Sequence, residues 1–142
     1  MSSTSLRILL PIDGSQPSQR ATQHVLDLAA RGLPLEVHVL NVQPALRGVA
    51  FVSQADVESF HRDEAMKAMA EPLRLLESAG HKPHVHVCVG DAGESVLGFA
   101  QRLKCDQIVM GTRGLGAVAK LILGSVASKV VGSATVPVTL VR

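Results

Sequence analysis

The chain has 142 residues, 46% of them hydrophobic, which is enough to bury one sizeable core and too few for two ordinary domains, so one domain over residues 1–142 is expected. Lys and Arg (14) against Asp and Glu (12) leave a formal charge of +2, and there are three Phe but no Trp or Tyr. This balance excludes a strongly basic nucleic-acid or membrane surface and a stacking platform for single strands, so any bound anion is held by local geometry.

The opening segment, "MSSTSLRILLPID", carries one basic residue and an apolar run closed at Asp13. It is too short for a signal peptide or a membrane span, and the cytoplasm is the expected location. Leu6 to Ile12 reads as a buried strand running into the turn "DGS". A helix follows, with Ser15 able to cap it, Pro17 tolerated in its first turn, and Ala21, Val25, Leu28 and Ala29 on one face before Gly32. Leu35 to Val42, "LEVHVLNV", is the second strand.

After the loop "QPALRGVAF", Ser53 and Asp56 form a capping pair for a helix bearing Val57, Phe60, Ala65, Ala68, Met69, Leu73 and Leu76, up to Gly80. Pro72 falls inside that pattern, so a kink or two abutting helices are expected. "KPHVHVCVG" is the third strand, Asp91 and Glu94 open a helix buried through Val96, Phe99, Ala100 and Leu103, and "DQIVMG" is a short fourth strand. Ser125 is placed to cap "VASKVVGSA", and "VPVTLV" from Val136 to Val141 closes the chain as a strand whose Pro137 suits a sheet edge.

Strands alternating with helices imply parallel pairing and a three-layer α/β sandwich with a five-stranded sheet, order 3-2-1-4-5. In such sheets ligands lie beyond the carboxyl ends of the strands where the winding reverses, here between the first and fourth strands. That brings Asp13 and Gly111 to one crevice.

Three glycine patterns compete for the stretch from Met110 to Val131. A Walker A loop is excluded because no Gly-Lys dipeptide occurs in the chain. Gly114, Gly116 and Ala119 match the dinucleotide fingerprint, but this follows the fourth strand instead of the first, and no acid stands after Asp106 to hold a ribose. The third pattern is G-x-x-G, nine residues, then G-S: Gly111, Gly114, Gly124 and Ser125. Bare glycines let backbone approach a ligand, and a helix opened by Gly124 and Ser125 aims free amides at the same crevice. Arg113, Lys120 and Lys129 add positive charge around it.

With "ILLPIDGS", "VHVLNV", "CDQIVMGTRGLG", "LGSVASKVV" and "VPVTLVR" together, the whole chain resembles a single-domain universal stress protein. The resemblance implies a Rossmann-like fold of the adenine nucleotide alpha hydrolase type and, because every position of the glycine motif is filled, the ATP-binding branch of the family. By the same resemblance Asp13 would meet the ribose or a phosphate-bound Mg²⁺, Pro11 would line the base pocket, and Val42 would meet adenine through its main chain. Met110, Gly111 and Gly114 would surround ribose and α-phosphate, with Arg113 nearby. Gly124, Ser125 and Val126 would hold the β and γ phosphates. It further implies a homodimer through antiparallel pairing of the last strand, Val136 to Val141, which would cover an apolar edge.

Each of these residues has a plainer role open to it: Asp13 as a turn former, Val42 and Met110 as core, the glycines as turns. The joint spacing favours a site. His81, His84 and His86 lie in "HKPHVH", with His38 on the neighbouring strand, but two edge-strand histidines make a poor zinc site and are expected as half-exposed rings beneath the long helix. Cys88 and Cys105 lack metal-ligand spacing and are expected as small buried side chains in a reducing compartment. No Ser-His-Asp or Cys-His pairing falls at the crevice, so slow or negligible ATP hydrolysis is expected. The readings left open are a nucleotide-binding regulatory module with unidentified protein partners, a weak ATPase or autophosphorylating enzyme, and a dimeric interaction protein that ignores nucleotide.

Overall fold

Successive side chains of β1 (Leu6–Pro11) point to opposite faces of the sheet, and both faces are apolar. Ile8 and Leu10, with Ile12 just beyond the strand, enter one core, while Leu9 enters another. A strand buried on both sides needs a helical layer over each. In the computed structural model, which describes residues 4–47, 53–115 and 122–142, those layers are α1 (Gln16–Ala30) with α2 (Gln54–Ser78), and α3 (Ala92–Arg102) with α4 (Ser125–Ser133).

The remaining strands are β2 (Leu35–Gln43), β3 (His84–Val89), β4 (Gln107–Gly111) and β5 (Val138–Val141). The sheet order is β3-β2-β1-β4-β5, with every pair parallel, as the alternation of strands and helices requires. Ile8 lies opposite Val37 of β2 on one side and Gln107 of β4 on the other. Asp106 fixes this last register from just outside β4: its carboxylate accepts the Arg7 N–H at 2.8 Å, and its own N–H donates to the Arg7 carbonyl at 2.8 Å.

Three helices begin on a side-chain cap. Ser15 Oγ accepts from Ser18 N–H, Ser53 Oγ from Asp56 N–H, and Asp91 Oδ2 from Glu94 N–H, satisfying amides that a helix start leaves unpaired. The fourth differs from the sequence expectation. Gly124 occupies the N-cap of α4, Ser125 is its first helical residue, and no side chain caps it.

The long helix is not divided at Pro72. It runs unbroken from Gln54 to Ser78 with Pro72 inside and buried, so it is one element instead of two. Proline removes one intrahelical hydrogen bond. Met69, Leu73 and Leu76, packed against the sheet on both sides of the proline, hold the two halves as one helix. The buried face is His61, Ala65, Met69, Pro72, Leu73 and Leu76, at spacings of three and four. Phe60, one residue out of phase with His61, is 45% exposed instead of buried, and Val57 is only half-buried.

The last strand starts at Val138, two residues later than the sequence reading had it. Pro137 has no N–H for the ladder and contributes only its carbonyl, which accepts the Ile108 N–H at 3.0 Å. Cys105 is buried as expected, whereas Cys88 on edge strand β3 is half-buried. Among the described residues no helix is long and apolar enough to cross a membrane.

Candidate functional site

Where β1 and β4 end, the helices that follow them leave to opposite faces of the sheet, and the strand ends bound a cleft of about 770 Å³. This is the switch point of an open parallel sheet. The end of β1 contributes Pro11, Asp13 and Gly14; the end of β2 contributes Val42 and Gln43. Met110 and Gly111 come from β4, Arg113 and Gly114 from the loop after it, and Gly124, Ser125 and Val126 from the start of α4. All ten residues singled out from the sequence therefore line one cavity. Gly116, Ala119 and Lys120 lie outside the described residues.

The glycine spacing has a local cause. The chain leaves β4 at Thr112 and returns at Gly124, whose N–H donates to the Thr112 carbonyl at 2.7 Å, while Thr112 N–H donates to Val141 at 2.8 Å. A hydrogen bond thus closes the neck of the loop and sets α4 beside β4. A Cβ on Gly124 would stand 3.3 Å from Arg113 Cα, tight against that neck. On Gly111 it would stand 2.7 Å from the Pro17 side chain and 2.9 Å from its carbonyl carbon, so this glycine is also required by the close approach of α1 to β4. On Gly114 it would collide with Asp13 Oδ2.

Asp13 joins the two sides of the cleft. Its Oδ1 accepts the Ser15 N–H at 2.9 Å and its Oδ2 accepts the Leu115 N–H at 3.2 Å. Opposite it, the first turn of α4 presents Ser125, Val126 and Ala127 to the cavity with no side-chain acceptor for its amides. A nine-residue helix aimed this way places partial positive charge at the cleft wall.

The sequence reading missed the second wall. Asn41, 2% exposed within an apolar strand, donates from Nδ2 to the Ile12 carbonyl at 2.8 Å, and its Oδ1 accepts from Gln43 Nε2 at 2.7 Å. Gln43 Oε1 in turn lies 3.4 Å from His61 Nδ1 on α2. The amide residue between Leu40 and Val42 in "VHVLNV" was the available signal. Lys67 and Glu64 of α2, paired at 3.1 Å, also line the cleft. Lys129, expected to add charge there, is instead spent on Asp91 and Glu94 of α3, at 3.2 and 2.8 Å.

His38, His84 and His86 do not line this cleft, and His38 and His86 lie on the other face from the one expected. His38 shares its side of β2 with Leu40, which packs under α3 and α4, and His86 meets the Phe99 ring of α3 at 5.4 Å between centroids. Strand parity decides this: Val37 and Val39 already fill the face beneath α2, so even-numbered residues of β2 turn the other way.

Fold and cleft together define a Rossmann-like α/β architecture with an open cleft at the carboxyl edge of its sheet. The chain also matches the family model described as the universal stress protein family over residues 5–142. It belongs to that family. A universal stress protein of Thermus aquaticus is 38% identical over 95% of this chain and 97% of its own. The solved structure of MJ0577, a universal stress protein of Methanocaldococcus jannaschii, superposes with a TM-score of 0.83 at 28% identity, covering 98% of this chain and 96% of that one. Two more distant structures carry ligands. A universal stress protein in complex with cAMP has a TM-score of 0.69 at 24% identity over 99% of each chain, and an Arabidopsis thaliana member with AMP bound has 0.68 at 16% over 96% and 94%.

Proposed function

We propose that this chain is an ATP-binding regulatory module acting in the stress response, in which the bound nucleotide alters a surface read by a protein partner. The observation that carries the reading is the uncapped start of α4, facing the same cavity as Asp13 and the ends of β1 and β2. Amides of Ser125 and Val126 and the Ser125 hydroxyl would take the terminal phosphates, and Met110, Gly111 and Gly114 the ribose and α-phosphate. Pro11 and Val42 would flank adenine. The cAMP and AMP complexes of the two distant relatives support an adenine ligand in this fold.

Asp13 fits a Mg²⁺ role. Each of its oxygens accepts one backbone N–H, which leaves lone pairs on both for a cation, and Mg²⁺ on nucleotide phosphates needs only one or two protein carboxylates. The ion would neutralise phosphate charge beside a carboxylate that would otherwise repel it.

Slow or no hydrolysis goes with this reading. Among the described residues lining the cavity there is no histidine or cysteine, and the acids are Asp13 and Glu64, the latter paired with Lys67. Phosphoryl transfer would need a positioned base besides the cradle. A homodimer through β5 is part of the proposal, supported by the edge position of Val138–Val141.

Equilibrium titration with ATP and Mg²⁺ tests the reading. Micromolar binding is expected, lost in Gly124→Val, whose side chain would displace the Arg113–Gly114 backbone from the neck of the loop. Superimposable curves for the two proteins would sink it. Radiolabelled ATP separates the module from an enzyme: turnover well above background, abolished in Asp13→Ala, would favour the latter.

A further inference from the structure

At the opposite end of the sheet, where β1, β2 and β3 begin, a second group of polar side chains converges. His38 and His84 are paired residues of neighbouring strands, and Glu36 lies two residues before His38 on the same face of β2. His38 is 6% exposed, Glu36 is half-buried and His84 is exposed. One donor atom from each of the three lies within 4.8 Å of the other two. None of the three lines the cleft, whose nearest residue on β2 is Leu40, about 7 Å beyond His38 by strand rise, so the group does not depend on how that cleft is read.

From this geometry we infer a transition-metal site of two imidazoles and one carboxylate, Glu36, His38 and His84, suited to Zn²⁺ and its borderline neighbours. That donor set matches Zn²⁺, Ni²⁺ or Cu²⁺ and disfavours Mg²⁺ and Ca²⁺, which want oxygen ligands. His38 Nε2 and Glu36 Oε2 are 2.9 Å apart. Two ligands at zinc-like bond lengths of about 2.1 Å and a tetrahedral angle are separated by about 3.4 Å, so a small opening admits the ion. His84 stacks on His38 with centroids 4.5 Å apart, and its exposed ring swings from the stack to complete the set, leaving a fourth position for water.

The supporting shell is already in place. His38 Nδ1 is 3.0 Å from His86 Nε2, and Arg7 Nε lies 2.8 Å from Glu36 Oε2 while its Nη1 donates to the Leu103 carbonyl at 3.2 Å. These contacts orient ring and carboxylate as outer partners of metal ligands do. Binding at Nε2 requires the His38 proton on Nδ1, donating to His86 Nε2, with the His86 proton on Nδ1. The two rings keep the same number of protons throughout. Glu36 also borders a surface hollow of about 380 Å³, through which an ion can arrive.

An ion here would brace β3 to β2, so binding should register in stability as well as in heat. The experiment takes full-length, tag-free, chelator-treated protein without nucleotide and titrates it with Zn²⁺ by calorimetry and with Co²⁺ by visible ligand-field absorption. One equivalent should bind with a tetrahedral Co²⁺ spectrum, and Zn²⁺ should raise the Tm. His84→Ala, exposed and so harmless to the fold, and Glu36→Gln should each weaken binding by about 10-fold or more and abolish the Tm shift. Absence of a Co²⁺ spectrum, or wild-type binding retained in His84→Ala, overturns the site. Neither result bears on ATP binding, which is measured separately.

Discussion

The Asp13 carboxylate accepts the amide of Leu115, 102 positions away in the chain, across the mouth of the cleft. That bond ties the turn after β1 to the loop after β4. It exists because residue 114 has no Cβ, which would otherwise occupy the space of Asp13 Oδ2. Gly114→Ala should therefore act through Asp13. Only the end of the Asp13 side chain has to move, so we expect a stability change within about 1 kcal/mol, and ATP affinity reduced with weakened dependence on Mg²⁺. Asp13→Asn should reproduce the weakened Mg²⁺ dependence without the steric strain. Titrations with and without Mg²⁺ on both variants check this; a Gly114→Ala protein with wild-type Mg²⁺ dependence contradicts it.

Gly111 and Gly124 belong to one motif but should fail differently. A Cβ on Gly111 meets Pro17 side chain and backbone at 2.7 and 2.9 Å, and α1 cannot retreat without disturbing Ala21 and Val25 in the core. Gly111→Ala should cost about 1–3 kcal/mol in urea unfolding, whatever happens to the ligand. At Gly124 the nearest atom is 3.3 Å away, so Gly124→Ala should unfold within about 1 kcal/mol of wild type while its ATP titration shifts to weaker binding. Equal stability losses for the two variants would remove the distinction.

Asn41 gives a test of the wall that the sequence concealed. It is buried, and its amide is consumed by the Ile12 carbonyl and the Gln43 side chain. Asn41→Ala leaves the Gln43 amide without its acceptor and Ile12 without one donor, a cost of about 1–3 kcal/mol. Because Ile12 adjoins Asp13, nucleotide affinity should fall as well. Chemical denaturation together with ATP titration reads both effects.

What was legible in the sequence was whatever has a short-range signal. β1 announced itself by an apolar run ending at "DGS", and the G-x-x-G and G-S pairs marked the two ends of a loop that a single Thr112–Gly124 hydrogen bond brings together. What stayed hidden depends on parity or phase. His38 turned to the α3 face because Val37 and Val39 took the other, and Phe60 lost its place to His61 by one step of helical rotation. Glu36 carried no sign of its approach to His84, since only strand pairing brings the third strand's first residue beside the second. Ser125 resembled a cap by residue type. The tight return at Gly124 moved the helix start by one residue and left its amides for a ligand.

The two cysteines should separate by reactivity. Burial pushes the Cys105 thiol up to about 11, with nearby Arg7 partly opposing the shift, and only the thiolate attacks disulfide reagents. At about pH 8 roughly a thousandth of Cys105 would be thiolate even if the reagent reached it. Cys88, half-buried on an edge strand, is the accessible thiol. Native Cys88→Ser protein should therefore react with a disulfide reagent far more slowly than wild type, and fully once denatured. Fast labelling of native Cys88→Ser would mean that Cys105 is not enclosed.

His86 sets the direction of the pH response. Burial lowers its pKa below the ordinary 6.5, and His38 and His84 add to the shift; the Phe99 ring of α3, with the Arg102 guanidinium 4.7 Å from its centroid, packs against it. A depressed histidine makes the unfolded chain take the proton first, so stability falls as pH drops from the unfolded value toward the folded one, and levels below it. Glu36 works in a lower window. Its pKa is lowered from 4.5, mainly by the His38 hydrogen bond, so its contribution is whole above the unfolded value and lost only as pH falls through the folded one. Between about pH 7 and pH 5 the histidine effect should then dominate this corner, and Tm should decline on acidification. Thermal melts of metal-free wild type and His86→Gln across that interval measure it. The variant's curve should be flatter, and parallel curves would show that the destabilisation originates elsewhere.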